Sequence, residues 1–432
     1  MAIENAPSAL PTDALAHHIS DQAKRRTGNA VKAMLKFTNK PGVLSLAGGL
    51  PNPSFFAFKS LATTVPSPLL LKPEAPQNAL INDAFVPQSP PDLASLFARA
   101  LQYSMVDGLP EISDIANEIV SSVYRPAYPD WTVLPTTGNT DALYKTWITF
   151  CNPGEGVLAE EWTYSVMLSS ILPLGLRPVP VQADADGMSS VALRNLLENW
   201  DTIAPKGLSR PHTLYLVPVG QNPTGTVMSM QRKREIYSIC SKYDIIIIED
   251  DPYYFMQFDD YGAKANGTAT AASNGDNSWP ESLQPTPQVS ISSRPAIVSV
   301  LTPLDTSLDT DGRVIRLDSF SKTLAPGLRL GWVTCNKLFA DRIYAMAEVT
   351  SQAPSGFSQT AVCTLWAQWG LSGYLSWLEE YMHIGLRTQY RVRRDAFKCA
   401  IRVRARPSLP RPRARDEGVG SMHARTFHDQ RI

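Results

Sequence analysis

The chain of 432 residues contains no apolar run approaching the roughly 20 residues that a membrane-spanning helix needs, so no bilayer crossing is expected. Its first residues, with Glu4 and Asp13, lack a basic stretch leading into an apolar one. A secretory leader is therefore not expected and a cytoplasmic location is. Cysteine is sparse: Cys151, Cys240, Cys335, Cys363 and Cys399 lie far apart with no CxxC pair, which argues against a disulfide framework. The six histidines show no ligand spacing, so no metal is expected either. Net charge is zero, from 40 basic and 40 acidic residues, but it is unevenly spread. Residues 402 to 432 carry eight arginines against Asp416, Glu417 and Asp429, which leaves the preceding chain mildly acidic. A clustered basic face is what nucleic acid would require, and none is expected on the main body.

What is present reads as globular. Hydrophobic residues make up 44% of the chain, and the length suits one large α/β domain with a smaller companion. From about residue 131, short apolar runs alternate with amphipathic stretches, the pattern of a mostly parallel sheet covered by helices. The strand candidates are 156–160, 177–181, 213–219, 244–250, 314–319 and 330–335. Ser229 is placed to cap a helix whose Ile236, Ile239, Cys240 and Tyr243 share one face. A second such face is Val362, Leu365, Trp366 and Trp369. Residues 259–295 are rich in Gly, Ala, Ser, Asn and Pro and read as a surface insertion; the Asn266-Gly267-Thr268 acceptor triplet inside it carries little weight without a leader.

Four segments carry chemistry. Ser319-Phe320-Ser321-Lys322 ends a strand, where doubly wound sheets place ligands, and a partly desolvated lysine amine there can form a Schiff base with an aldehyde. Asn222-Pro223-Thr224-Gly225 lies between a strand and a helix; by itself it is an ordinary turn. Four isoleucines lead into Glu249-Asp250-Asp251, and three acids at a buried strand end imply a cationic partner. Thr136-Thr137-Gly138-Asn139-Thr140 opens an amphipathic helix, whose free N–H groups make an anion site.

In this order the four segments resemble the fold-type-I pyridoxal-5′-phosphate (PLP) aminotransferases, most closely the fungal aromatic amino acid and the kynurenine/2-aminoadipate enzymes. The resemblance rests on SLAGGLPNPSFFAF (45–58), LQYS (101–104), TTGNTDALYK (136–145), CNPGEGVLAEEWTYS (151–165), QNPTG (221–225), IIEDDPYYF (247–255), DGRVIRLDSFSKTLAPGLRLGW (311–332) and TSQAPSGFSQ (350–359), and spans roughly residues 12–398. It implies an α/β fold of type I, with a mostly parallel, seven-stranded sheet sandwiched by helices and a small domain incomplete at the C-terminus. The divisions expected are an N-terminal arm and small-domain segment (1–54), a large cofactor domain (55–350) that includes the 259–295 insertion, linking helices and the start of the small domain (351–400), and an atypical Arg/Pro-rich tail (401–432).

The resemblance also implies roles. Lys322 is the Schiff-base lysine and proton-moving base, Asp250 pairs with the pyridine nitrogen, and Tyr164 stacks on the ring. Asn222 and Tyr253 bond the ring's 3′ oxygen. Gly138, Asn139, Thr140, Ser319 and Arg329 hold the phosphate, and Tyr103 reaches it from a second subunit, so a homodimer is implied. Gly49 and Lys32 are the substrate-side positions; Lys32 stands where relatives often place an arginine, a point charge replacing a planar fork. The tail lacks the family's substrate-carboxylate arginine and the phrase resembling GMFLW, which reads as a frameshifted or truncated gene. The implied activity is transamination between an aromatic amino acid, 2-aminoadipate or kynurenine and a 2-oxo acid such as 2-oxoglutarate. The competing readings are a truncated PLP-binding homologue with little or no turnover, a transcription regulator on the same scaffold, and a PLP-dependent decarboxylase or lyase.

Overall fold

A computed structural model describes residues 11, 13–27, 51–58, 60–65, 82–87, 95–257 and 308–378. Its centre is a sheet of seven strands: β1 (Trp131–Thr136), β2 (Gly156–Glu160), β3 (Arg177–Val181), β4 (Thr213–Leu216), β5 (Ile246–Asp250), β6 (Val314–Ser319) and β7 (Gly331–Asn336), in the order β1-β7-β6-β5-β4-β2-β3. β7 runs antiparallel to β6 and β1, and the remaining pairings are parallel. The α/β expectation therefore holds. Sheets covered on both faces read as continuous apolar runs, and Ile245–Ile248 are all fully buried. Strand alternation sends Ile246 and Ile248 into one core layer with Trp147 and Phe339, and Ile245 and Ile247 into another with Ile236 and Leu193.

Helices α1 (Pro110–Ile119), α2 (Asn139–Phe150), α3 (Met230–Lys242), α4 (Lys337–Ala347) and α5 (Gly356–Ser376) pack around the sheet. Ser229 caps α3 as expected, its Oγ accepting the Arg232 N–H at 3.2 Å. Ile236, Ile239 and Cys240 are buried on its inner face, and Tyr243 is partly covered. On α5, Val362, Trp366 and Trp369 are buried and Leu365 half-buried; Gly370, at φ 56°, breaks this helix.

Three strands depart from the sequence reading by more than one residue. β4 stops at Leu216, because Pro218 has no N–H for a ladder and the chain turns out toward the sheet edge. β5 starts at Ile246, since Asp244 adopts the left-handed conformation (φ 54°) in the turn that ends α3. β1 was not among the candidates; WTVLPT takes its place in the sheet by pairing with β7. Residues 13–27, expected in an arm, pack on the main body, where Leu15, Ile19 and Ala23 join the core and Ser20 Oγ donates to Ile148 O at 2.8 Å. The 259–295 insertion, Lys32, Gly49, Asn266 and the 401–432 tail lie outside the described residues.

Candidate active site

The carboxyl ends of β1, β5 and β6 converge on a cavity of about 260 Å³. Asn139, Thr140, Tyr164, Asn222, Asp250, Tyr253, Ser319, Lys322 and Arg329 line it, so nine of the positions named from the sequence are brought together. Leu143, Val217, Pro252, Ser321 and Pro326 complete the wall.

Asp250 is the last residue of β5. Strand alternation turns it into the cavity while Glu249 and Asp251 face the opposite side. There the expected cation is Arg316 of β6, fully buried, bonded to Glu249, to Asp251 at 3.1 Å and to Asp318 at 2.9 Å, and lying over the rings of Tyr124 and Tyr254. One acid of the three is thus left for the cavity. Its Oδ1 accepts from Asn139 Nδ2 at 2.7 Å and its Oδ2 from Tyr215 OH at 2.9 Å. Burial raises the Asp250 carboxyl's proton affinity, opposed by those two bonds and by the charge of Arg316. A buried carboxylate held by neutral donors, on the wall of a cavity, fits a protonated ring nitrogen.

The other end is built for an anion. Gly138 precedes the first turn of α2, where backbone N–H groups have no partner within the helix. A Cβ at Gly138 would lie 2.7 Å from Arg329 Nη2, so only glycine lets the guanidinium close on this turn. Arg329 sits in the left-handed region (φ 46°), fixed by bonds from Nη1 to Ser321 Oγ and Pro326 O, both 3.2 Å. Ser319 Oγ, 2.8 Å from Ser321 Oγ, completes this end.

Lys322 lies between, exposed to the cavity mouth, with Nζ 5.8 Å from the centre of the Tyr253 ring. Half-buried Tyr164 has its phenol pushed up by burial and by the Asp250 charge, and pulled down by Arg329. Asn222 begins a cis peptide with Pro223. Its loop is held by buried Gln221, whose Oε1 accepts from Thr224 N at 2.8 Å and whose Nε2 donates to Trp162 O, on the segment that carries Tyr164.

An anion cradle, an amine and a buried carboxylate around one cavity match a phosphorylated pyridine aldehyde, and Asn139 Oδ1, buried and without a hydrogen-bond partner among the described residues, adds an acceptor on the wall. The Asn139 side chain is committed to Asp250 and to Leu317 O at 3.0 Å, leaving its backbone N–H for the phosphate end. Tyr103 is 70% exposed and is not part of this wall. Tyr215, Gln221 and Ser321 were missed. Tyr215 is hidden inside an apolar strand, whereas Ser321 was legible as the hydroxyl one residue before the lysine.

Residues 86–369 match the family described as aminotransferase class I and II. An aromatic amino acid aminotransferase of Schizosaccharomyces pombe is 35% identical over 397 residues, covering 91% of this chain and 78% of that protein. An L-tyrosine:2-oxoglutarate aminotransferase of Tapinella panuoides is 34% identical over 423 residues, covering 94% and 74%. The crystal structure of aminotransferase Aro8 from Candida albicans matches with a TM-score of 0.76 at 35% identity, covering 90% of this chain and 76% of that one. With this geometry and these likenesses, the chain belongs to the class I and II aminotransferases and is a transaminating enzyme whose cofactor is pyridoxal 5′-phosphate.

Proposed function

We propose that the enzyme moves the amino group of an aromatic amino acid to a 2-oxo acid such as 2-oxoglutarate, with 2-aminoadipate and kynurenine as further donors. The observation that carries the reaction is the shared cavity of Lys322, Asp250 and Arg329. The choice of donor is supported by the names of the relatives.

Bound PLP supplies an electron sink conjugated to the substrate's Cα. The residues do the rest. Asp250, held by Asn139 and Tyr215, keeps a proton on the ring nitrogen. Lys322 Nζ takes the proton from the substrate Cα. Arg329, Ser319, Ser321 and the first turn of α2 fix the phosphate, so orientation and electrostatics carry the catalysis. Tyr253 and Asn222 line the same cavity and would bond the 3′ oxygen, and Tyr164 would cover the ring face.

A homodimer in cytoplasm is part of this proposal, with Tyr103 of each copy reaching the other's phosphate; its 70% exposure supports a surface role. No observation favours the reading without turnover, because both ends of the cavity and the amine are in place. The test is a half-reaction. The purified, PLP-loaded enzyme is mixed with phenylalanine, tyrosine or 2-aminoadipate, and the visible absorbance is followed for conversion of bound cofactor to the pyridoxamine form. Conversion by tyrosine and return on adding 2-oxoglutarate are expected; absorbance that does not change with any donor would overturn the assignment.

A further inference from the structure

At the amino edge of the sheet, opposite the cavity, the fold gathers three histidines and two carboxylates from four places in the chain. His17 Nε2 lies 2.5 Å from Asp244 Oδ2, and His18 Nε2 lies 3.1 Å from Asp244 Oδ1. His18 Nδ1 is 3.0 Å from His212 Nδ1, and His212 Nε2 is 3.0 Å from Glu155 Oε2. His18 is 2% exposed, while His17 and Asp244 are about half exposed and open a path from solvent.

With both imidazoles neutral, the protons of this relay do not balance. Three contacts, from Asp244 through His18 and His212 to Glu155, need three protons, and two neutral imidazoles bring two. If His212 donates to Glu155, it must accept from His18, and the bare Nε2 of His18 then faces the carboxylate of Asp244. That is the tautomer of a metal-bound histidine whose other nitrogen is fixed by an outer partner. The ligand atoms of His17, His18 and Asp244 all lie within 4.8 Å of one another. The neighbouring guanidinium of Arg313 has Nη1 3.6 Å from Asp244 Oδ1 but is engaged by Asp311 at 2.9 Å and by Ile245 O at 3.1 Å.

We propose that His17 Nε2, His18 Nε2 and the Asp244 carboxylate bind one divalent transition-metal cation of the Zn²⁺ type. Two imidazoles and one carboxylate suit zinc, cobalt or nickel and suit magnesium or calcium poorly. Solvent fills the open position. Asp244 and Asp250 bracket β5, so the site lies roughly 20 Å from the reacting atoms at 3.3 Å per residue. The role is therefore a clamp, fastening residues 13–27 to the turn between α3 and β5.

The test uses the PLP-loaded enzyme, freed of metal by a chelator and titrated calorimetrically with Zn²⁺, with Mg²⁺ as comparator. One Zn²⁺ per chain, no Mg²⁺ heat and a rise in Tm with Zn²⁺ are expected. His17→Ala, at an exposed position, and Asp244→Asn, a residue type that tolerates positive φ, should each weaken Zn²⁺ binding by at least about tenfold. Turnover should be unchanged in both variants. No saturable Zn²⁺ binding to the wild type, or binding unaltered by either substitution, overturns the site and leaves an added proton as what balances the relay.

Discussion

Asn139 Nδ2 lies 2.7 Å from Asp250 Oδ1, so a residue whose backbone opens the anion-binding turn of α2 holds, through its side chain, the carboxylate at the opposite end of the cavity. The two ends are thereby coupled through one residue. Asn139→Ala should leave the first-turn N–H groups in place while removing a donor from a buried carboxylate. A hydrogen bond to a charged group contributes about 1.5–3 kcal/mol, so the half-reaction rate should fall roughly ten- to hundredfold. The proton affinity of Asp250, already raised by burial, should rise further. Tyr215→Phe should act in the same direction from Oδ2, and the double variant should lose less or more than the sum, because both donors serve one carboxylate. Rates equal to wild type in both single variants would remove the positioning role.

How legible this site was in the sequence depended on where each residue stands. Lys322 was readable because it lies where an apolar strand run ends, and such ends meet at one edge of a parallel sheet, whereas the roles of Asp250 and Asn222 came from the resemblance their segments carry. Tyr215 was not, since the phenol of TLYL acquires a partner only when β4 is laid beside β5. The acid run implied a cation, yet Arg316 became that cation only through the register that sets it opposite Glu249. The histidine cluster needed residues 17, 18, 212 and 244 to be folded together, and no local spacing announces such a meeting.

Gly138 and Arg329 give a sharper test of the anion end. Gly138 has φ 94° and ψ 168°, a region populated almost only by glycine, and an added methyl would meet the guanidinium at 2.7 Å. Gly138→Ala should therefore displace Arg329 and release PLP on dialysis, with cofactor affinity lowered by about tenfold or more for a strain of roughly 1–3 kcal/mol. Arg329→Lys keeps the charge and loses the fork, so it should weaken cofactor retention less than Gly138→Ala does. Equal retention in Gly138→Ala and wild type would contradict the packing.

Arg316 holds Glu249, Asp251 and Asp318 in a space closed to water. Burial already lifts Asp251 to about 7 and Asp318 to about 6, and removing the guanidinium lifts them further. Arg316→Leu should cost about 3–5 kcal/mol at neutral pH, as expected when one partner of a buried ion pair is deleted. Carboxyls whose folded-state values are raised stabilise the fold below their unfolded values and lose that contribution as pH rises through the folded ones. The variant's urea midpoint should therefore fall more steeply than the wild type's between pH 5 and pH 8. Parallel curves would mean that the three acids find other partners.

Glu160, at the end of β2, offers the opposite sign of change. It is 4% exposed, and burial pushes its carboxyl from an ordinary 4.5 up to about 7, against bonds from Gln221 and the Met188 N–H. The native state therefore binds this proton more tightly than the unfolded chain. Its contribution is full below about 4.5 and is lost as pH climbs through about 7, on the order of 3 kcal/mol for this shift. Glu160→Gln mimics the protonated acid at every pH and keeps an acceptor for Gln221. Thermal unfolding should show the variant matching wild type near pH 4.5 and exceeding it at pH 8. With a domain of this size, that difference would be read as several degrees in Tm. A deficit at pH 8 would instead mean that the charged carboxylate is stabilised by its neighbours, and that the NPTG loop, reached through Gln221, depends on that charge.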